Sequence, residues 1–279
     1  MARQRIAREP TSKLAVWARR CSVFSLTAMV PLIIIIRAGL IELDPSLAAV
    51  TAVLALAAVG MLLAIAALVV IWIDGIDGVG HSLLALLIGA VLLAYPAYLA
   101  VKFVRTPALA DVSTDTSDPP KFDQAARFRP NRVDYPGTAA AARQRAAYPD
   151  IETLQVATSV QLAFEAARSV VSKRKWTIIN DRPPGIRREA QIEAVARTPV
   201  LGFREDVVVR VRGSPDGARI DVRSASRFGY HDLGSNAQRV RSLLEDIEDQ
   251  VEVLVEERKR APTKPAPAKQ AAPQPSAKR

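Results

Sequence analysis

The sequence predicts an α+β fold: three N-terminal transmembrane helices, then a two-layer domain with an antiparallel sheet of four or five strands and two covering helices. Three observations predict it. Long apolar runs open the chain, strand and amphipathic-helix patterns follow, and the last 19 residues are rich in Pro without a large apolar side chain. Such a segment cannot bury a core, so residues 261–279 are expected to form a disordered tail.

Each apolar run is long enough to cross a bilayer, which requires about 20 residues of helix. The runs cover residues 21–41, 47–73 and about 79–101. A signal peptide is disfavoured, because no small-residue cleavage pattern precedes the acidic turn after the first run and two more apolar runs follow. Residues 21–104 are therefore predicted to be a three-helix transmembrane region whose partner is the lipid bilayer. Small residues that would allow close helix contact are Gly60, Ala64, Ala67, Gly89 and Ala90.

Basic residues precede the first run: Arg3, Arg5, Arg8, Lys13, Arg19 and Arg20. The positive-inside rule therefore predicts that residues 1–20 form a cytoplasmic N-terminus. Three crossings would place the following domain on the opposite side, which is the periplasm if the membrane is a bacterial inner membrane. Lys102 and Arg105 flank the third run on that outer side and count against this orientation.

The net charge of +10 lies mostly at the two ends of the chain. Residues 1–105 and 261–279 each carry a net charge of +4, whereas residues 106–260 carry only +2. Nucleic-acid binding needs Lys and Arg gathered on one folded face, so no nucleic-acid partner is expected. The single Cys21 excludes an internal disulfide, a Cys-rich zinc site and an iron–sulfur cluster from this chain alone, and no metal or cofactor is predicted.

Residues 105–137 combine Pro, Asp, Ser and Thr without a helical period, which predicts an extended linker or a wrapping arm. Residues 138–260 are predicted to form the α+β soluble domain. Its predicted helices cover residues 138–147, 159–176 and 235–260, and its predicted strands cover residues 152–156, 177–181, 190–197, 206–212 and 218–227. In the last strand, alternate residues are expected to form one buried face and one charged face.

Three blocks in this region are similar to signature segments of the domain of unknown function 1499 family. The blocks are DVSTDTSDPPKF (111–122), YPGTAAAARQRAAYPDI (135–151) and RIDVRSASRFGYHDLGSNAQRVR (219–241). The resemblance covers about residues 106–250, and the preceding spans are also similar to an arrangement found among proteobacterial members. It implies an envelope-facing domain but supplies no reaction and no catalytic residue.

The third block contains a candidate ligand site. Arginine forks and hydroxyl groups bind carboxylate or phosphate, and a helix N-terminus also prefers anions, so the predicted ligand is anionic. The candidate residues are Arg223, Ser224, Ser226, Arg227, Asp232, Asn236 and Arg239. The alternative is structural: a cross-strand charge ladder formed by Arg223 and Asp221 with Glu193 and Arg197, beside a turn and cap.

These patterns favour a membrane-anchored, non-catalytic binding or interaction module in the bacterial envelope, which contacts an envelope protein or an anionic envelope component. One alternative is a hydrolase-like enzyme that uses His231, although the sequence contains no G-x-S-x-G elbow, metal-ligand pair or phosphate-binding glycine loop. Another is an accessory subunit of a membrane complex, contacted through its helical hairpin. The oligomeric state is not predicted.

Overall fold

A computed structural model describes residues 10–129, 134–186 and 189–260. It contains a three-helix bundle and an α+β domain that lies against one end of the bundle. The predicted tail, residues 261–279, and the first nine residues of the predicted N-terminal segment lie outside the described residues.

The bundle consists of α1 (Lys13–Ala38), α2 (Leu43–Asp74) and α3 (Val79–Arg105), all long and apolar enough to cross a membrane. Helix α1 begins eight residues before its predicted apolar run and ends three residues before the end of that run, whereas α2 and α3 extend past the ends of theirs into flanking polar residues. Glycines in the left-handed conformation, Gly39 and Gly75, end α1 and α2.

Small residues pack the three helices together, as expected. Ala18, Ala64 and Ala85, one from each helix, form a buried cluster. A Cβ atom at Gly60 would lie 2.5 Å from Ser22 Oγ, so glycine allows α1 and α2 to approach closely. Ala90 is exposed, and its predicted role in this packing was wrong.

The domain contains a six-stranded antiparallel sheet. Its strands are β1 (Asp111–Ser113), β2 (Leu154–Val156), β3 (Thr177–Arg182), β4 (Glu189–Arg197), β5 (Arg204–Ser214) and β6 (Gly217–Ser226). The order is β1-β6-β5-β4-β3, and β2 pairs with another stretch of the same β6 edge as β1. The five predicted strands are present. The additional β1 has only three residues, too few to show an alternating pattern.

Helices α4 (Thr138–Ala147), α5 (Val160–Lys173) and α6 (Ser235–Arg260) complete the domain. Helices α5 and α6 cover one face of the sheet, as predicted. Ile192, Val209 and Val222, from three neighbouring strands, are buried there in one cluster with Phe164 of α5 and Leu243 of α6. This cluster is the hydrophobic core of the domain.

The other face of the sheet is also buried, beneath residues 114–129, which we call the arm. Phe122 and Ala125 of the arm pack against Val208 and Ala225 of the sheet. The sequence predicted that one face of β6 would be charged, and it is. The arm also covers this face. Its Asp115 and Asp118 form ion pairs with arginines of β5 and β6, namely Arg210, Arg212 and Arg219.

Candidate functional site

Asp221 is the centre of an ion-pair network beneath the arm. Its carboxylate is fully buried and accepts hydrogen bonds from Thr153 Oγ1 at 2.6 Å and Arg210 Nη2 at 3.0 Å. Burial raises the pKa of Asp221, but these hydrogen bonds and the charges of Arg210 and Arg219 outweigh burial, so the pKa lies below its ordinary value. Asp221 therefore remains ionised and holds the charged face together.

Arg223 fixes the start of the arm to the sheet. Its guanidinium donates from Nε and Nη2 to the two carboxylate oxygens of Asp111, at 2.9 and 2.7 Å, and from Nη1 to the Pro120 carbonyl at 3.0 Å. It also lies 4.6 Å from the ring centroid of Phe122. With 2% of its surface exposed, Arg223 is a buried arginine with several partners in the chain.

Arg227 has a similar environment nearer the end of β6. Its Nε and Nη2 atoms donate to Asp206, the shortest bond being 2.7 Å, and Arg129 Nη1 also donates to Asp206 at 2.9 Å. The Asp206 side chain is fully buried, so two arginines satisfy one buried carboxylate.

The remaining polar candidates meet on the opposite, helix-covered face. Ser224 Oγ donates to Asn236 Oδ1 at 2.8 Å, and Asn236 Nδ2 donates to Ser226 Oγ at 3.1 Å. Ser226 Oγ donates to Glu205 Oε1 at 3.1 Å, and Arg239 forms an ion pair with Glu205. This network joins β5 and β6 to the first turns of α6.

Asp232 occupies the N-terminus of α6. Its carboxylate accepts from the backbone N–H groups of Asn236 at 2.7 Å and Gly234 at 2.8 Å. Burial raises the pKa of Asp232 above its ordinary value, and these two hydrogen bonds oppose that rise. The anion preference of this helix end is therefore used by a carboxylate of the chain itself.

The seven candidate residues are thus divided between two sides of the sheet. Ser224, Ser226, Asn236 and Arg239 meet on the helix side, next to Asp232, whereas Arg223 and Arg227 lie on the arm side, because neighbouring strand residues face opposite ways. All have partners within the chain. Ligand binding by them stays a sequence prediction.

The alternative charge ladder has the wrong partners. Arg223 pairs with Asp111 of β1, and Arg197 donates to the backbone carbonyl of Arg37. Glu193 accepts backbone hydrogen bonds from the arm, including one from the Ala125 N–H at 2.9 Å. The strand pattern alone does not reveal these contacts: β1 supplies the carboxylate that pairs with Arg223, and the arm supplies the backbone groups that bond to Glu193.

His231 connects the domain to the end of α3. Its Nδ1 accepts from the Leu233 N–H at 3.0 Å, so the ring proton is assigned to Nε2, which donates to the Thr106 carbonyl at 3.1 Å. The ring stacks on Phe103 with centroids 4.6 Å apart. Both ring nitrogens are thus engaged with backbone groups, whereas Ser224 and Ser226 form hydrogen bonds with Asn236 and Glu205.

A second connection joins the domain to the end of α1. Arg37 Nη1 donates to the carbonyls of Pro199 at 2.6 Å and Val200 at 3.0 Å, and Arg197 Nη1 donates to the Arg37 carbonyl at 2.8 Å. Gly202, at φ +72°, lets the β4–β5 loop approach Arg37 closely: a Cβ there would lie 3.1 Å from Arg37 Cγ. We call the contacts of loops 198–203 and 227–234 with the ends of α1 and α3 the junction.

A pocket of about 540 Å³ opens at the junction, a size typical of ligand sites. The helices contribute Leu43, Leu47, Tyr95, Tyr98, Leu99 and Lys102 to its wall. The two loops contribute Pro199, Leu201, Phe203, Phe228, His231 and Leu233. Sequence reasoning missed this pocket. Its only signal was the apolar character of the TPVLGF and RFGYH loop segments, and their meeting with the span ends depends on the tertiary fold.

Some of the charged residues that line the junction pocket form ion pairs within the chain, and others do not. Glu205 and Arg227 line the pocket but form ion pairs with Arg239 and Asp206. Lys102 and Arg204 also line it, and within the described parts of the chain no carboxylate lies within ion-pair distance of either. The cations available to a ligand are therefore Lys102 and Arg204.

The fold joins three helices, each long and apolar enough to cross a membrane, to one α+β domain, which suggests a membrane-anchored protein. Residues 111–247 match the model of the family described as protein of unknown function (DUF1499). The domain belongs to this family, which confirms the resemblance of the three sequence blocks, whereas the likeness of the preceding spans to proteobacterial members stays a prediction. Searches of curated proteins and of solved structures each found no match.

Proposed function

We propose that the protein is a non-catalytic binding module, anchored in a bacterial inner membrane, whose domain faces the periplasm and receives an envelope ligand or protein partner at the junction pocket. The observation that carries the proposal is the pocket itself. Its wall combines the ends of α2 and α3 with two loops of the domain, so it exists only while the domain lies on the bundle.

Charge near the ends of the spans supports the orientation. Six Lys and Arg residues occur up to Arg20, whereas Arg37, Lys102 and Arg105 flank the spans at the domain end. The end with more basic residues is favoured in the cytoplasm. The domain contacts Arg37 and Thr106, at the other end of the spans, which favours its placement on the periplasmic side.

The contacts of His231 favour binding over hydrolysis. A catalytic histidine needs one ring nitrogen within hydrogen-bond reach of a nucleophile or water. Here Leu233 and Thr106 occupy the two nitrogens, and the ring is stacked on Phe103. The residue proposed for the hydrolase alternative thus has a clear structural role at the junction.

Photo-crosslinking in living cells tests the proposal. A photoreactive amino acid would replace Phe228, which lines the pocket and is 40% exposed. The control is Val104, which lies at the end of α3 nearest the domain. It is 85% exposed and lies outside the pocket wall. We expect one defined adduct, of reproducible mass, from position 228 and only bulk lipid from position 104. The same products from both positions would contradict binding at the junction.

A further inference from the structure

The junction pocket is long and apolar along the helices. Tyr95 lies seven residues before Lys102 on α3. The pocket wall therefore extends about 10 Å along this helix, from Lys102 away from the domain. Leu47 and Leu99 line this deeper part, and Leu47 is 44% exposed. This part of the wall resembles the environment of an acyl chain.

The outer part of the pocket has a different character. Lys102 lies over the ring of Tyr98, with Nζ 5.3 Å from its centroid, and Tyr and Lys side chains at a helix end are typical of the bilayer interface. Arg204 enters from the domain. Its guanidinium lies close to Gly39 at the end of α1, where a Cβ atom would be 3.7 Å from Arg204 Nη2. Two cations, one from α3 and one from the domain, therefore line the outer part of the pocket near the ends of the spans.

We infer that the junction pocket binds one membrane phospholipid with an anionic head group. Lys102 and Arg204 hold the phosphate, and Leu47 and Leu99 contact the first part of an acyl chain. This inference rests on the proposed function and names its ligand class. Charge complementarity and depth carry it: the two cations line the end of the pocket nearest the domain, and the apolar wall continues from there along the spans.

The ligand reaches this site within the membrane. Leu47, Tyr95 and Tyr98 are wall residues on helices that cross the bilayer, and all three are partly exposed on the bundle surface. A lipid can thus enter sideways from its leaflet without leaving the bilayer. Glu205 and Asp232 on the domain side are held by Arg239 and by the backbone N–H groups of α6, so they do not compete for the two cations.

Native mass spectrometry of the full chain in a non-ionic detergent tests the inference. The probes are dipalmitoyl phosphatidylglycerol, dipalmitoyl phosphatidylcholine and glycerol 3-phosphate. We expect one phosphatidylglycerol to bind on the order of tenfold more tightly than phosphatidylcholine. Phosphatidylglycerol has a net negative charge, whereas the cationic choline of phosphatidylcholine would be repelled by Lys102 and Arg204. Glycerol 3-phosphate should not bind at the same concentration. Equal binding of the two lipids would overturn the inference, and so would equal binding of glycerol 3-phosphate, which would indicate a phosphate site without a lipid.

Two pairs of variants locate the lipid. Lys102→Gln with Arg204→Gln should abolish the preference for phosphatidylglycerol, whereas Arg105→Gln with Lys175→Gln removes the same charge from exposed positions outside the pocket wall and should keep it. Leu47→Trp should weaken lipid binding because the larger side chain would fill part of the pocket. Val59→Trp, at a similarly exposed α2 position outside the pocket wall, should not. Retention of the preference in the first variant would overturn the inference.

The lipid inference and the proposed function fail in different ways. A defined non-lipid adduct from position 228, together with no lipid preference, would overturn the inference alone and leave a binding module for another ligand. The absence of both results would overturn both.

Discussion

Arg197 on β4 donates a hydrogen bond from Nη1 to the backbone carbonyl of Arg37 at 2.8 Å, while Arg37 reaches in the opposite direction to the carbonyls of Pro199 and Val200. Each of the two arginines thus donates to backbone carbonyls on the other side of the contact between the end of α1 and the β4–β5 loop region. Hydrogen bonds from charged donors are stronger than neutral ones, so this pair is well suited to fix the domain on the bundle.

Removing this exchange should release the domain from α1 without unfolding it. In the double variant Arg37→Gln and Arg197→Gln, backbone hydrogen–deuterium exchange should rise in residues 198–203 and remain unchanged in the buried strand β5. The matched control is Arg168→Gln with Arg258→Gln, which removes two exposed ion pairs elsewhere in the domain. Unchanged exchange in residues 198–203 would show that the arginines do not hold this loop.

The pair Arg223–Asp111 should be important for domain stability. Asp111→Asn leaves a buried guanidinium without its carboxylate, which typically costs about 3–5 kcal/mol of unfolding free energy. Fluorescence of Trp176 would follow unfolding, in a background with Phe at positions 17 and 72, since Trp176 is the domain's tryptophan.

Asp246→Asn is the control for that measurement. Asp246 pairs with Arg174 at 2.6 Å but half of its side chain is exposed, and exposed pairs contribute about 0–1 kcal/mol. If both variants lowered stability equally, the buried position of Arg223 would not be what makes its ion pair important.

The buried Asp221 should make the domain sensitive to acid. Its pKa in the folded state lies below the ordinary value, so the folded state binds this proton more weakly than the unfolded state does. The carboxylate therefore stabilises the fold above the unfolded pKa of about 3.9, and this contribution is lost as the pH falls through the lower, folded pKa.

Asp221→Asn should reduce stability at neutral pH and flatten its dependence on pH below about 4. Urea unfolding of the full chain at several pH values measures this slope. Asp216, an exposed residue in the β5–β6 turn, is the control: Asp216→Asn should retain the parent's slope. An equally steep slope in Asp221→Asn would contradict the assignment.

His231 should be a neutral histidine with its proton on Nε2, as its two hydrogen bonds require. Nitrogen-15 NMR of the imidazole in the full chain can identify this tautomer. His231→Phe should keep the stacking on Phe103 and leave the crosslink from position 228 intact. Loss of that crosslink from a folded variant would favour a direct role of His231 in binding.

Periodicity was sufficient to predict much of this fold. Apolar length predicted the three long apolar helices, and alternation in residues 190–197 and 218–227 separated a helix-covered face from a charged one. Strand β1 and the arm were harder, because Asp111 of β1 and Phe122 of the arm carry no periodic signal and acquire their roles only against Arg223 of a distant strand.

The site was harder still. The Arg and Ser residues of the family block suggested an anion site because side-chain chemistry is visible in a sequence and partners are not. Glu205 and Asp206, which engage Arg239 and Arg227, lie more than 20 residues away. The junction pocket joins Leu47 to Leu201 and Phe228, and no local pattern connects such residues.

Thiol labelling in native membranes tests the central claim most directly, namely that a periplasmic pocket at the junction holds a ligand. In a Cys21→Ser background, a cysteine replaces either Leu201 in the pocket wall or Asp216 in the exposed β5–β6 turn. A membrane-impermeant maleimide should label position 216 in cells whose outer membrane alone is permeable. The labelling rate of position 201 relative to 216 should be low in membranes and rise after delipidating extraction into detergent. Labelling of position 216 only after the inner membrane is opened, or a ratio that does not change on extraction, would contradict the account.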